Sequence, residues 1–411
     1  MSAGVPALPL GLDPLIAEAK RRMRRRRLVA TAALLAVAAG TVVWAAVPSG
    51  KPGETPAVGQ LHFSAHAPSG PVEWVGTGGG VAWAGTYRNL WLSTNGGRTW
   101  GRSTPPHLTD VGATSLGDVQ FVDSRHGWLS SNTVNTAAHT SHRWEIDRTT
   151  DGGRTWQAST PPDCKQCNFG NLSFFDATRG YVFAWASTPT YASPNARTKL
   201  FSTSDGGATW KLVSEPRIAP PAGARFVDPQ HGVAVSWSGD KSADSRVFRT
   251  SDGGRTWTPV VLDGSPRYPG YFGYPEITSV DGTLVIPAER FLTPRGAQPT
   301  VYTSSDGGAH WQAHSAPKDV FFGYGLFSAA SPDTWVAADR YARHFYETTD
   351  GGESWRVVTM PRTFLHARWI HFSSAQLGWA VLENYRLVRT TDGGRHWTSA
   401  GPPKPKVHTR G

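Results

Sequence analysis

From about residue 70 to residue 400 the apolar positions come in short runs, separated by glycine, aspartate and proline. One stretch shows the pattern, with runs at 119–122, 128–131, 144–149 and 156–159. Runs of this length bounded by turn residues read as β-strands. The first and second are joined by Asp123-Ser124-Arg125-His126-Gly127, the third and fourth by Asp151-Gly152-Gly153. The predicted element is therefore a unit of four strands.

That unit repeats. Thr250-Ser251-Asp252-Gly253-Gly254-Arg255-Thr256-Trp257 has six counterparts, beginning at Ser93, Thr149, Thr203, Ser304, Thr348 and Thr390. The acid position holds Asp151, Asp205, Asp252, Asp306, Asp350 and Asp392, with Asn95 in the first copy. The closing tryptophans are Trp100, Trp156, Trp210, Trp257, Trp311, Trp355 and Trp397, 42 to 56 residues apart. A spacing near fifty residues is the mark of a repeat architecture. The glycines supply positive φ and the aspartate accepts backbone N–H bonds, so each copy is a hairpin tip that the tryptophan closes by burial. Seven copies argue for structure, because a catalytic device is not needed seven times.

A looser repeat lies between the hairpins. Asp123, Asp176 and Asp228 share one position in it and read as turn formers; worn copies occupy 280–284, 327–335 and 372–379. Seven four-stranded antiparallel units, each too thin to bury its own faces, predict an all-β, seven-bladed β-propeller over residues 61–405. Leu61 to Ser64 is expected to complete the last blade and leave no exposed edge. The one-to-two and three-to-four turns fall on one side of a blade. The two-to-three and four-to-one connections are longer and fall on the other, where binding groups concentrate.

Over about residues 71–397 the combined motif resembles the Asp-box (BNR) propellers, in particular the seven-bladed photosystem II stability and assembly factors. Asn95, His310, Ser354 and His396 depart mildly from the box. The resemblance implies the fold more strongly than the function, since sialidases, xyloglucan hydrolases and sortilin-type receptors also carry Asp boxes.

Ahead of the repeats, residues 1–27 end in Lys20, Arg21, Arg22, Arg24, Arg25, Arg26 and Arg27. Against Asp13 and Glu18 these give +5 of the formal net charge of +10, so the basic pI does not argue for nucleic-acid binding. Residues 28–47 are twenty positions without a charge, enough for a helix across a hydrocarbon core. Arginines on the cytoplasmic side would send the propeller outward. Cleavage at Ala36-Val37-Ala38 is the rival to an uncleaved anchor. A Pro/Gly linker, 48–60, follows.

Candidate chemistry is sparse. Cys164 and Cys167, the two cysteines of the chain, could form a redox pair or half a zinc site, but with no second pair a small disulfide staple is expected. No motif for a metal, a cofactor or a nucleophile with its base stands out. The long-loop side gathers arginines with aromatic residues, the composition of a recognition surface. Its candidate patch is Arg88, Arg267, Tyr271, Arg290, Arg340, Tyr341, Arg368, Trp369, Tyr385 and Arg386. The bland alternative is that the aromatics cap the core and the arginines are solvated.

Three function classes follow: a monomeric scaffold that binds another envelope or membrane protein, a sensor of wall polymer or small ligand, and a sialidase-like hydrolase. The last would need Glu289, Asp339 and Glu383 beside Arg290, Arg340 and Arg386. Sialidases resembling this pattern are six-bladed with an Arg-Ile-Pro motif, broken here as Arg217-Ile218-Ala219-Pro220. The scaffold is the expected function.

Overall fold

The computed structural model describes residues 71–86, 89–108, 113–134, 142–164, 167–186, 198–218, 221–236, 246–262, 277–293, 296–323, 325–339, 342–359 and 366–400. The basic segment, the expected anchor at 28–47, the linker and Leu61 to Ser64 lie outside them. Among the described residues, 28 strands form seven four-stranded antiparallel sheets. Each sheet is built from four consecutive strands, so the chain is a seven-bladed β-propeller. The blades span 72–102, 113–159, 167–214, 221–260, 278–315, 327–359 and 367–399. Blade seven has four strands of its own, the last being Thr398–Ser399.

First strands of neighbouring blades meet at the centre, and fourth strands lie outermost. Gln120 of blade two behaves as a stretch of backbone there: its amide donates to the Phe174 carbonyl (2.9 Å) and accepts the Phe174 N–H (2.8 Å). Asn171 of blade three likewise accepts the Ala224 N–H of blade four (2.8 Å), and Ser328 of blade six accepts that of Phe372 (2.8 Å). These bonds satisfy inner-edge groups that no sheet partner reaches.

In blade two the first strand is Ala113–Phe121, six residues longer toward its start than the apolar run predicts. The hidden part is polar, and the register breaks between Leu116 and Val119. Breaks of this kind recur in the first pair of blades one, three, four and seven. A bulge bends the inner strand and disturbs the period-two pattern by which strands are recognised.

One apolar layer fills each interface between blades. Leu92 of blade one meets Phe121 and Leu129 of blade two, and Trp128 of blade two meets Phe169 and Phe174 of blade three. Four more layers follow around the ring. The seventh packs Val72, Val75 and Ala82 of blade one against Trp379, Val381 and Leu387 of blade seven, closing the circle. Thr77 and His371 also meet across this seam at 2.7 Å, and burial holds the His371 imidazole down to about 4. Cys164 and Cys167 are joined in a disulfide, and both are buried in the layer between blades two and three.

Candidate functional site

The box hairpins are built alike. The Thr250 hydroxyl donates to Asp252 Oδ1 (2.8 Å) and accepts the Gly254 N–H (2.8 Å); Asp252 then accepts the Thr256 N–H (2.9 Å) and hydroxyl (2.6 Å). All fourteen box glycines have positive φ, between 69° and 87°. The second of the pair also lies against the preceding blade, where a Cβ would strike Trp379 at Gly97 (2.6 Å) or Val233 at Gly308 (2.5 Å). Each tryptophan enters the layer shared with that preceding blade, Trp100 at 1% exposure and Trp257 half-buried.

Hydrogen bonds from the Thr209 hydroxyl and N–H hold Asp205 down to about 2, and the Ser354 hydroxyl does the same for Asp350. At Asp252 and Asp392 partial burial pushes the other way, yet bonds from Thr256 and from His396 still bring both to about 2. His310 and His396 replace the threonine donor with a ring nitrogen, each 2.6 Å from its aspartate. Asn95 accepts the Arg98 and Thr99 N–H groups through Oδ1 and donates to the Thr99 hydroxyl through Nδ2.

Asp123, Asp176 and Asp228 each accept two backbone N–H bonds in their own turns. The two turn families touch within a blade: Gly152 N–H donates to the Arg125 carbonyl (2.9 Å), Gly206 to Thr178 (2.8 Å) and Gly253 to Gln230 (2.9 Å).

Part of the long-loop face is described. Arg88, Arg267, Tyr271, Arg340 and Tyr341 lie outside the described residues, as does the side chain of Arg290. Of the remaining four, Arg368 and Tyr385 meet where blade seven faces blade one. The Arg368 guanidinium lies 4.3 Å from the centre of the Tyr385 ring, within cation–π range, and 3.7 Å from Glu73 of blade one. Tyr385 is exposed, with φ of 61°, and its carbonyl accepts the Val72 N–H (3.2 Å). Arg386 is exposed beside it. Trp369 instead packs against the layer beneath and donates its indole N–H to the Val75 carbonyl (2.9 Å).

Left-handed backbone recurs on this face at Asp163, Ala342, His366 and Tyr385. Non-glycine residues rarely adopt it, and bulky ones do so under strain. Of the carboxylates considered for hydrolysis, Asp339 is engaged with its own loop, accepting the Arg343 and His344 N–H groups and lying 2.9 Å from the His344 ring. Glu383 is exposed next to Tyr385, and the Glu289 side chain lies outside the described residues.

A second polar group was not singled out by the sequence. Glu145 and Asp147, buried on the third strand of blade two, face His107 of the preceding connection. His107 Nε2 is 3.2 Å from Glu145 Oε2 and 3.6 Å from Asp147 Oδ1, and the Ser131 hydroxyl donates to Asp147 Oδ2 (3.0 Å). Burial, reinforced by the Glu145 charge and opposed by Ser131, pushes Asp147 up to about 7. The available signal was the alternation of Glu145 and Asp147 on one strand face, which places both toward blade one.

No protein-family model and no curated protein matches the chain. Among solved structures it is similar to YCF48 bound to D1 peptide, at 17% identity over 70% of this chain and 81% of that one, with a TM-score of 0.46. YCF48 from Cyanidioschyzon merolae matches at 17% identity over 70% and 84% of the two chains, with a TM-score of 0.47. The GH74 enzyme of Niastella koreensis matches at 15% identity over 82% of this chain and 54% of its own, with a TM-score of 0.57. This chain thus spans about half the length of that enzyme. The likeness to it extends to the fold alone, that of a β-propeller, which here has seven blades.

Proposed function

We propose that the protein is a non-catalytic scaffold, anchored in a membrane by residues 28–47, that holds another envelope or membrane protein on its long-loop face. The observation that carries this reading is the exposed Arg368–Tyr385 stack at the seam of blades seven and one. Arginine and tyrosine dominate the energetics of protein interfaces. This pair is already ordered by Glu73 and by the Tyr385 backbone bond to Val72, so little side-chain freedom is lost on binding. Strained backbone at Tyr385 and His366 supports a surface kept in shape for recognition. A glycan-directed hydrolase is the alternative that the fold alone would permit, and the engagement of Asp339 with its own loop weighs against it.

The test is affinity capture of the full-length protein from its own membranes, beside Arg368→Glu combined with Tyr385→Ala. The reading expects a partner protein to be enriched with the native protein and lost with the variant, while both melt at similar temperatures. An unchanged set of captured proteins would remove the stack from the binding site.

A further inference from the structure

On the opposite face, that of the box hairpins, a cleft of about 350 Å³ opens between blades five and six. Its origin lies in the repeat. The residue just before each box serine or threonine faces the next blade, and in blades two, four and seven it is an arginine. Arg148 donates to the Asp205 carbonyl (3.3 Å) and Arg249 to the Gly307 carbonyl (3.1 Å), both in the next blade's Asp-Gly-Gly turn. Arg389 reaches the matching turn of blade one, 3.7 Å from where a Cβ on Gly96 would stand. Blade six carries Glu347 at this position, but Glu347 holds Arg356 (2.7 Å from Nε), which approaches the turn at Gly393. Four interfaces thus place a guanidinium at the next blade's turn.

Between blades five and six the position is Thr303, whose hydroxyl lies 3.0 Å from His314 Nε2 and is too short to cross. The turn it would have reached, Asp350-Gly351, lines the cleft instead. Blade five contributes Asp306, and blade six adds Asp333 and Glu353. Asp333 stands where blades two, three, four and seven have Arg125, Thr178, Gln230 and Gln376. No lysine or arginine is among the described residues of the lining. The acids alone would not define a ligand; four of the six sister interfaces do, by holding a guanidinium at the equivalent place, the other two having Leu92 and Ser202 there.

We propose that this cleft binds a guanidinium supplied in trans, the side chain of an arginine in a basic peptide segment. Its N–H groups donate to the carbonyls of the Asp350-Gly351 turn, as Arg148 and Arg249 do to theirs, while Asp333 and Glu353 balance the charge. The site is independent of the long-loop reading and lies on the other face.

The test is a titration of the full-length protein with N-acetyl-arginine amide, followed by NMR, with the citrulline analogue as the neutral isostere. Saturable binding by the arginine compound and none by citrulline is expected. Thr303→Arg, which supplies the missing side chain in cis, should abolish binding while melting at or above the native temperature. Should that variant fail to fold, Asp333→Asn with Glu353→Gln, two exposed positions, should weaken binding at least tenfold. Absence of saturable binding to the native protein, equal binding of citrulline, or unchanged affinity in a folded variant would overturn the proposal.

Discussion

A box aspartate acts through both carboxylate oxygens, one taking backbone N–H groups and the other a hydroxyl or imidazole. Asn95 shows that the second role is replaceable, because its amide reverses the bond and donates to Thr99. Asp252→Asn should therefore leave the melting temperature nearly unchanged at neutral pH, whereas Asp252→Ala, which frees the Arg255 and Thr256 N–H groups, should cost about 1–2 kcal/mol. Denaturant unfolding of the two variants checks this, and equal losses would contradict it. These roles were legible in the sequence because donor and acceptor lie within eight residues of one another. Trp257 was legible as a core residue too, though only its layer, and not its half-exposure, follows from its place in the box.

At the scale of the element, the strands were legible where apolar residues alternate and hidden where bulges and polar residues interrupt them, as over Ala113–Phe121. Glu145 and Asp147 on strand His142–Thr149 were hidden for another reason: their partner His107 belongs to a different element, and no local spacing announces the contact. Asp147 titrates near 3.9 when unfolded and about 7 when folded. Its stabilising contribution is therefore full below the first value and lost as pH rises through the second. Asp147→Asn keeps an acceptor for Ser131 and cannot ionise. Its stability relative to the native protein should rise between pH 5 and pH 8 by about 2 kcal/mol, measured by thermal melting at both values. A difference that does not change with pH would show that Asp147 is ionised in the fold throughout.

At the scale of the whole molecule, seven boxes sufficed to count the blades, but not to show how the circle closes. The seam is made by side chains of blades one and seven that lie almost three hundred residues apart, such as Thr77 with His371. The same seam brings Arg368 and Tyr385, which composition alone could only assign to one side of the ring, together with Glu73, which the sequence did not single out. Trp369, from the same sequence cluster, goes to the core layer instead, because its indole N–H finds the Val75 carbonyl there.

The most direct measurement is site-specific photocrosslinking in native membranes, with p-benzoylphenylalanine placed at Tyr385 and, in a separate protein, at exposed Leu212 on the outer strand of blade three. The account predicts one discrete protein adduct through position 385 and none through 212. Adducts through 212 but not 385, or through neither, would contradict it.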